Sequence, residues 1–142
     1  MLIQYFSSIG VKVMDKAKLI NQAPVLLVVD IVKSIEYWTE KLGFNASTYG
    51  EPVDFAILRR DSCFMMLSQA PADHEIVPNW KIKDMTWNAY FWVDDAKKIY
   101  EEFQKSGADI DYKLHEKPYG VLEFGIQDLD DHDIVFGQDL NT

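Results

Sequence analysis

The residues best suited to metal binding or nucleophilic catalysis are three histidines and one cysteine. The separation of His74, His115 and His132 matches no metal-ligand spacing, so each is predicted to be a solvated loop residue. Cys63 has no second cysteine to pair with, and we expect it to pack in a strand as a small apolar residue. The sequence also contains no glycine-rich phosphate loop and no Gly-x-Ser-x-Gly motif. It therefore offers no candidate for nucleophilic catalysis.

The composition indicates a folded, acidic domain. The chain has 142 residues, of which 48% are hydrophobic and 13% aromatic, and this is enough for one buried core. A formal net charge of −9 argues against nucleic-acid binding, which needs a basic surface, and favours a neutral or cationic partner. We find no apolar run of membrane-spanning length and no secretory signal, and a single cysteine suits a reducing compartment. We therefore expect a cytoplasmic protein that binds neither nucleic acid nor membrane.

The sequence repeats one pattern of elements at an offset of about 65 residues, which fits one βαβββ unit and is too long for a solenoid repeat. In each copy an apolar run ends at an aspartate, a helical stretch ends at a glycine, and short strand-like segments follow. This pattern predicts an α+β fold with two βαβββ modules. The predicted domain covers residues 21–138, with module one at 21–68, a connector at 69–85, module two at 86–138, and an N-terminal extension at 1–20.

Apolar spacing and turn residues locate the elements within the modules. Apolar positions at helical spacing predict one helix from Ile31 to Leu42, and a second along the stripe that includes Ala96 and Phe103. Gly43 and Gly107 are expected to end these helices. The predicted strands are residues 24–29, 44–49, 55–59, 63–68, 86–93, 109–114, 121–127 and 133–136.

Three stretches of the sequence resemble the vicinal oxygen chelate superfamily, which includes glyoxalases, extradiol dioxygenases, and fosfomycin and bleomycin resistance proteins. They are residues 24–30 (PVLLVVD) with the helix to residues 42–44 (LGF), residues 93–96 (VDDA) with Tyr100, and residues 118–124 (PYGVLEF) leading to 128–130 (DLD). The last stretch is most similar to the bleomycin-resistance branch. The resemblance implies a curved mixed sheet around a cavity, the glyoxalase/bleomycin resistance fold.

The resemblance also implies four positions where the metal enzymes of the family carry their ligands. In this sequence those positions correspond to Ala23, Met66, Asn88 and Val135. None of these side chains is a good ligand for a divalent metal, because such sites use imidazole, carboxylate or thiolate groups. We therefore predict no metal and no cofactor at the usual site of the family.

The family's helix-packing positions imply which strand residues face the helices and which face the cavity. The helix-facing residues are expected to be Leu26, Val28, Ala89, Phe91, Val93, Phe124 and Ile126. The cavity is then lined by Val25, Leu27 and Gln127 together with the candidate ligand-binding residues Phe64, Met66, Asn88, Tyr90, Trp92 and Glu123. Glu123, beside Tyr90 or Trp92, is suited to holding a cation through its charge and the ring quadrupole. Two alternatives remain open: the aromatic stripe belongs to the core or a dimer interface, or Glu123 lies at a solvent-exposed mouth.

These inferences favour a metal-free binding protein of the bleomycin-resistance type. It would be a homodimer that sequesters a small cationic, aromatic molecule in a cleft lined by both modules. The alternative is a glyoxalase-like or dioxygenase-like enzyme that acts on a small metabolite, with Glu123 as a general base in a non-standard site. A third hypothesis is an interaction module whose cavity is filled by its own side chains.

Overall fold

The computed structural model describes residues 15–141, and these residues form two four-stranded mixed sheets. The elements are β1 (Val25–Val28), α1 (Ile31–Glu36) continued by a π-helical turn (Tyr37–Lys41), β2 (Asn45–Tyr49), β3 (Phe55–Arg60), β4 (Cys63–Gln69), α2 (Asn79–Ile82), β5 (Ala89–Trp92), α3 (Ala96–Ser106), β6 (Asp109–Lys117), β7 (Val121–Gln127) and β8 (Asp133–Asp139). Sheet one has the order β1-β4-β3-β2 and sheet two the order β5-β8-β7-β6. Each first strand is parallel to the last strand of its module, and the other neighbours are antiparallel. The predicted α+β fold with two βαβββ modules is confirmed.

The element boundaries differ from prediction mainly in module two. The sixth and eighth strands run to Lys117 and Asp139, further than predicted, while β5 is shorter. The connector contains the short helix α2, which the mixed composition of that segment did not indicate. Residues 15–24 have no regular structure and lie mostly exposed, and residues 1–14 of the predicted extension are outside the described residues.

Both long helices begin and end as their sequences predict. The Asp95 side chain accepts a hydrogen bond from the Lys98 amide at 3.0 Å, and Asp30 caps α1 in the same way. Gly107 adopts the left-handed conformation with φ of 82°, and the following amide of Ala108 donates to the Phe103 carbonyl at 3.0 Å. These local signals fix where the chain turns back toward the sheet.

One hydrophobic core extends across both modules. The edge of the Trp38 ring packs on Phe44, and Phe44 contacts Phe91 of the second module at a centroid distance of 5.8 Å. The predicted helix-facing residues Leu26, Val28, Ala89, Phe91, Phe124 and Ile126 are all buried in this core, and Val93 packs against it. Because alternate residues of a strand point to opposite faces, the remaining strand positions point away from the core.

Polar contacts also join the two modules. The Arg60 guanidinium binds both carboxylate oxygens of Glu102, at 2.7 and 2.8 Å. The Tyr37 hydroxyl donates to the Gln127 carbonyl at 2.8 Å and accepts from the Asp109 amide at 3.0 Å. The two modules therefore pack through their helix-bearing sides, and the opposite face of each sheet remains available for a site.

Candidate functional site

A buried carboxylate lies on the face of sheet two that points away from the core. Glu123 is 0% exposed, although it carries an acidic group. Its Oε1 accepts hydrogen bonds from the hydroxyls of Tyr90 at 3.0 Å and Tyr119 at 2.8 Å, and its Oε2 accepts one from Tyr112 at 2.8 Å. Such bonds offset the free-energy cost of removing a carboxylate from water. We refer to these four residues as the tyrosine cage.

Two glycines make room for the rings of the cage. A Cβ atom at Gly137 would collide with the ring and hydroxyl of Tyr90, and one at Gly125 would collide with the ring of Tyr112. In the β7–β8 ladder Gly137 is the direct partner of Glu123. The absence of a side chain therefore lets Tyr90 cross the strand and reach the carboxylate.

An irregular strand and a turn supply the other two tyrosines. The β6–β7 register shifts on both sides of Tyr112, an irregularity of the kind that re-aims side chains. Tyr119 lies in the turn of the β6–β7 hairpin, beside Gly120 with φ of 80°. Neither the shift nor the turn geometry has a clear periodic signature in the sequence.

The cage tyrosines are hydrogen-bond donors and not acids at neutral pH. Burial, and then the hydrogen bond to Glu123, raise the pKa of Tyr90 and Tyr112 well above the ordinary value of 10.0. The same causes raise the pKa of Tyr119 to about 12. All three phenols therefore keep their protons and hold the carboxylate in place.

The cage borders a cavity of about 510 Å³, which we call the acidic cup. It is lined by Trp80, Asp84, Met85, Trp87, Asp111, Tyr112, His115, Lys117, Tyr119, Glu123, Gln127, Asp133 and Val135. The lining therefore contains four carboxylates and one lysine, and indole and phenol rings provide its flat surfaces. This combination suits a ligand that is both cationic and planar.

Asp111, on another part of the cup, has a raised pKa. Asp111 is exposed at its surface, but partial desolvation, the charge of Asp133 and hydrogen bonding with Asp133 raise its pKa to about 6. Gln127 donates from Nε2 to Asp133 at 2.9 Å and so orients that carboxylate. Asp111 therefore keeps its proton to a higher pH than an isolated aspartate does.

A neighbouring cleft of about 590 Å³ contains most of the residues predicted from the sequence. Phe64, Asn88, Tyr90 and Trp92 all line it, together with Ala23. The Tyr90 ring packs on Trp92 at 4.8 Å, and its hydroxyl reaches Glu123 of the acidic cup. Tyr90 therefore separates the cleft from the cup.

Met66, Asn88 and Glu123 have contacts in the structure that the sequence did not specify. Met66 is half-buried, pairs with Val25 and Ile57, and lines neither the cleft nor the cup. The Asn88 side chain accepts a hydrogen bond from the Asn79 amide at 3.1 Å, so it holds the start of α2. Glu123 is enclosed and does not lie at an exposed mouth.

The positions expected to carry metal ligands in the family do not form a ligand set here. Ala23 and Asn88 line the cleft, Val135 lines the acidic cup, and Met66 lines neither. None of them supplies a carboxylate, imidazole or thiolate, so these side chains do not fit a divalent metal.

The prediction for His132 was wrong. This residue is 4% exposed, and its Nδ1 lies 2.8 Å from Oδ2 of Asp128. The Asp128 carboxylate also accepts the amides of Asp130 and His132, and Asp130 accepts the Val29 amide from module one. Among residues 15–141, the side chains of Asp128, Asp130 and His132 form the group that could hold a metal, because their ligand atoms lie within 4.8 Å of one another. The hydrogen bonds within this turn and to module one account for the proximity of these side chains without a metal.

His74 and His115 are exposed, as predicted, although His115 lies within β6 and lines the cup. Cys63 begins β4, is half-buried and packs against the core. No helix in the described part of the chain is both long and apolar enough to span a membrane.

Sequence reasoning missed several residues of the cup. Trp80, Trp87, Tyr112, Tyr119, Asp111 and Asp133 were not identified as site residues. The available signal was the pair of strand glycines, Gly125 and Gly137, because a glycine inside a strand often marks a close approach of another group.

Comparisons with solved structures identify proteins of the same fold. The bleomycin-binding protein of bleomycin-producing Streptomyces verticillus, complexed with copper(II)-bleomycin, is similar with a TM-score of 0.66 and 26% identity, over 85% of this chain and 97% of that chain. TioX from Micromonospora sp. ML1 has a TM-score of 0.67 and 20% identity, over 84% and 98% of the two chains. A glyoxalase-related enzyme from Clostridium phytofermentans has a TM-score of 0.70 and 14% identity, over 87% and 97%. The last two similarities show the fold alone.

No curated protein matches the sequence. A family model does match: that of the Glyoxalase/Bleomycin resistance protein/Dioxygenase superfamily, over residues 20–136. This match covers most of the chain, including both modules and all the residues of the cage. The chain therefore belongs to the glyoxalase/bleomycin resistance protein/dioxygenase superfamily.

Proposed function

We propose that this protein binds a small cationic, aromatic molecule in the acidic cup without the help of a metal. The observation that carries the proposal is the Glu123 carboxylate, fully buried and fixed by three tyrosine hydroxyls next to aromatic walls. A fixed negative charge in a site of low dielectric constant attracts a cation more strongly than a solvated one does. The cage therefore provides orientation, and the rings provide burial.

The walls of the cup support the same ligand class. Trp80 and Trp87 offer flat indole surfaces, and Asp111 and Asp133 add negative charge at a second place in the cup. Lys117, the one lysine in this lining, already lies 5.7 Å from the centre of the Tyr112 ring. An anionic ligand would be repelled by the carboxylates, in keeping with the net charge of −9.

The similarity to the bleomycin-binding protein supports sequestration as the mode of action. In that case the protein would protect by holding its ligand and not by transforming it. The enzymatic alternative needs Glu123 to accept a substrate proton, yet its oxygens already accept three hydroxyl donors. The substrate would have to displace at least one of them before any proton transfer.

The proposal includes a homodimer in which sheet one of one copy covers the cup of the other. Leu27 and Val25 are exposed on the outer face of sheet one, and Leu27 is 40% exposed. Within one chain, Met66 and these two residues lie on sheet one, away from Glu123 on sheet two. A second copy would bring both predicted surfaces together into one closed site and would cover these exposed apolar side chains. The cytoplasmic location stays a prediction from the single cysteine.

The test is titration calorimetry, supported by tryptophan fluorescence, with a cationic glycopeptide of the bleomycin type prepared free of metal. Wild type is compared with Glu123→Gln, which removes the charge but keeps the shape, and with Glu116→Gln as an exposed carboxylate control on the same hairpin. We expect Glu123→Gln to weaken binding by roughly tenfold or more, because a charged hydrogen bond is lost, and Glu116→Gln to bind like wild type. Equal binding by all three proteins would exclude the cage as the anchor. Absence of binding to wild type would exclude this drug class as the ligand.

A further inference from the structure

We propose that the cationic group of the ligand carries N–H donors, and that it binds Glu123 by displacing the hydroxyl of Tyr119. This inference rests on the proposed function and specifies the chemistry of its anchor. The group would be a primary or secondary ammonium, or a guanidinium or amidinium, and not a quaternary ammonium.

The hydrogen bonds of Glu123 leave little room for an additional partner. An ionised carboxylate offers about four lone-pair positions. Two donors, Tyr90 and Tyr119, already share Oε1, and Tyr112 takes one position on Oε2. The carboxylate is also sealed from solvent. A ligand from the cup therefore reaches Glu123 only if one tyrosine moves.

Tyr119 is the tyrosine that can move. Tyr90 and Tyr112 are half-buried and lie over Gly137 and Gly125, held between strands. Tyr119 is 55% exposed, and its ring projects from the hairpin turn. Rotation about its side-chain torsions would release the hydroxyl into water, where it regains a hydrogen-bond partner.

The backbone beneath Tyr119 is anchored, so the side chain can rotate without opening the hairpin. The Gly120 amide donates to the Lys117 carbonyl at 3.0 Å, and the Leu140 amide donates to the Gly120 carbonyl at 2.9 Å. Asn141 donates from Nδ2 to the carbonyls of Tyr119 and Gly120, both at 3.4 Å. The turn therefore stays in place while the ring acts as a lid.

The ligand needs an N–H donor because displacement of the Tyr119 hydroxyl removes a hydrogen bond from Glu123 Oε1. Oε1 loses one of its two O–H donors and keeps only that of Tyr90, and the loss of a hydrogen bond by a buried carboxylate is unfavourable. An N–H cation restores the hydrogen bond and adds charge. A quaternary ammonium has no N–H, is wider, and does not replace the lost hydrogen bond, although it can still contact the aromatic rings.

The experiment compares phenethylammonium with its N,N,N-trimethyl analogue by titration calorimetry at neutral pH. The two probes share the ring and the charge but differ in N–H donors. We expect wild type to bind phenethylammonium roughly tenfold or more tightly, and Glu123→Gln to lose this preference. Tyr119→Phe removes the competing hydroxyl, so it should bind phenethylammonium several-fold more tightly than wild type. Tyr100→Phe, on α3 and outside the cup, serves as the matched control and should behave like wild type.

The outcomes separate the inference from the proposed function. Equal affinities of wild type for both probes overturn the donor requirement but leave a cation-binding cup. Tyr119→Phe binding no tighter than the Tyr100→Phe control overturns the role of Tyr119 as a lid. If wild type binds neither probe even at tens of millimolar, the proposed function fails and the inference fails with it.

Discussion

Replacing Gly137 by alanine tests whether the strand glycines exist to accommodate the cage. The new Cβ would collide with the Tyr90 ring and hydroxyl, which are its three nearest heavy-atom neighbours. The backbone at Gly137 is not in the left-handed region, so alanine itself fits the strand. Any large effect must therefore pass through the Tyr90 side chain.

The size of the effect follows from the contacts that Tyr90 would lose. Displacing it removes one hydrogen bond to a buried carboxylate, which is worth about 1.5–3 kcal/mol. Alanine in a strand is intrinsically more favourable than glycine by about 0.5–1 kcal/mol, which offsets part of this loss. We therefore expect Gly137→Ala to lower the free energy of unfolding by about 0.5–2.5 kcal/mol. In a Tyr90→Ala background the collision is absent, and the same substitution should stabilise by up to about 1 kcal/mol.

Urea unfolding of the four proteins in this double-mutant cycle measures both numbers. The sign change between the two backgrounds is the diagnostic result. If Gly137→Ala destabilises both backgrounds to the same extent, its effect does not pass through Tyr90 and the reasoning is refuted. A matching cycle with Gly125→Ala and Tyr112→Ala should show the same reversal, because the three heavy atoms nearest to that Cβ all belong to the Tyr112 ring.

Three further predictions concern other parts of the molecule. The pKa of Asp111 is raised from 3.8 to about 6, so the folded state binds this proton more tightly than the unfolded state does. The free energy of unfolding should therefore fall as pH rises from about 4 to about 6. Asp111→Asn should remove this contribution to the slope, measured by urea unfolding between pH 4 and pH 7. His132→Ala should destabilise by about 2–4 kcal/mol, because it removes a buried ring and the hydrogen-bond partner of Asp128 Oδ2, and it should leave the affinity for phenethylammonium unchanged. A loss below about 0.5 kcal/mol would contradict the structural role. Leu27→Lys should convert the proposed dimer into a monomer, as measured by light scattering, whereas Val32→Lys, an exposed control on α1, should not. A monomeric wild type would exclude the dimer.

Local patterns were sufficient to predict the architecture because each element depends on neighbours in the sequence. Asp30 and Asp95 precede helices that they cap, and Gly107 ends a helix where a left-handed residue is needed. The repeated order of these signals indicated two modules, and the residue types at Ala23 and Val135 were enough to argue against the family's usual metal. The faces of the strands followed from alternation once the core side was known.

The surroundings of individual polar groups were not predictable in this way. His132 lies in a turn of charged residues, yet it is buried, and this turn contacts the other module through the hydrogen bond from the Val29 amide to Asp130. Trp80 is in a connector without periodicity, yet its indole N–H donates to the Asp131 carbonyl at 2.6 Å and its ring lines the cup. Both outcomes depend on residues distant in the sequence, which no local pattern encodes.

By itself, the sequence determined the α+β modules, their order, the caps of the helices and the apolar stripes, because these depend on interactions over a few residues. Only the tertiary structure decided that Tyr90, Tyr112 and Tyr119 converge on Glu123. That convergence needs a parallel strand, an irregular antiparallel strand and a hairpin turn to meet above Gly125 and Gly137. The physical reason is that a buried carboxylate needs hydrogen-bond donors, and the register of the strands decides which side chains are close enough to donate. Local patterns in the sequence do not reveal that register.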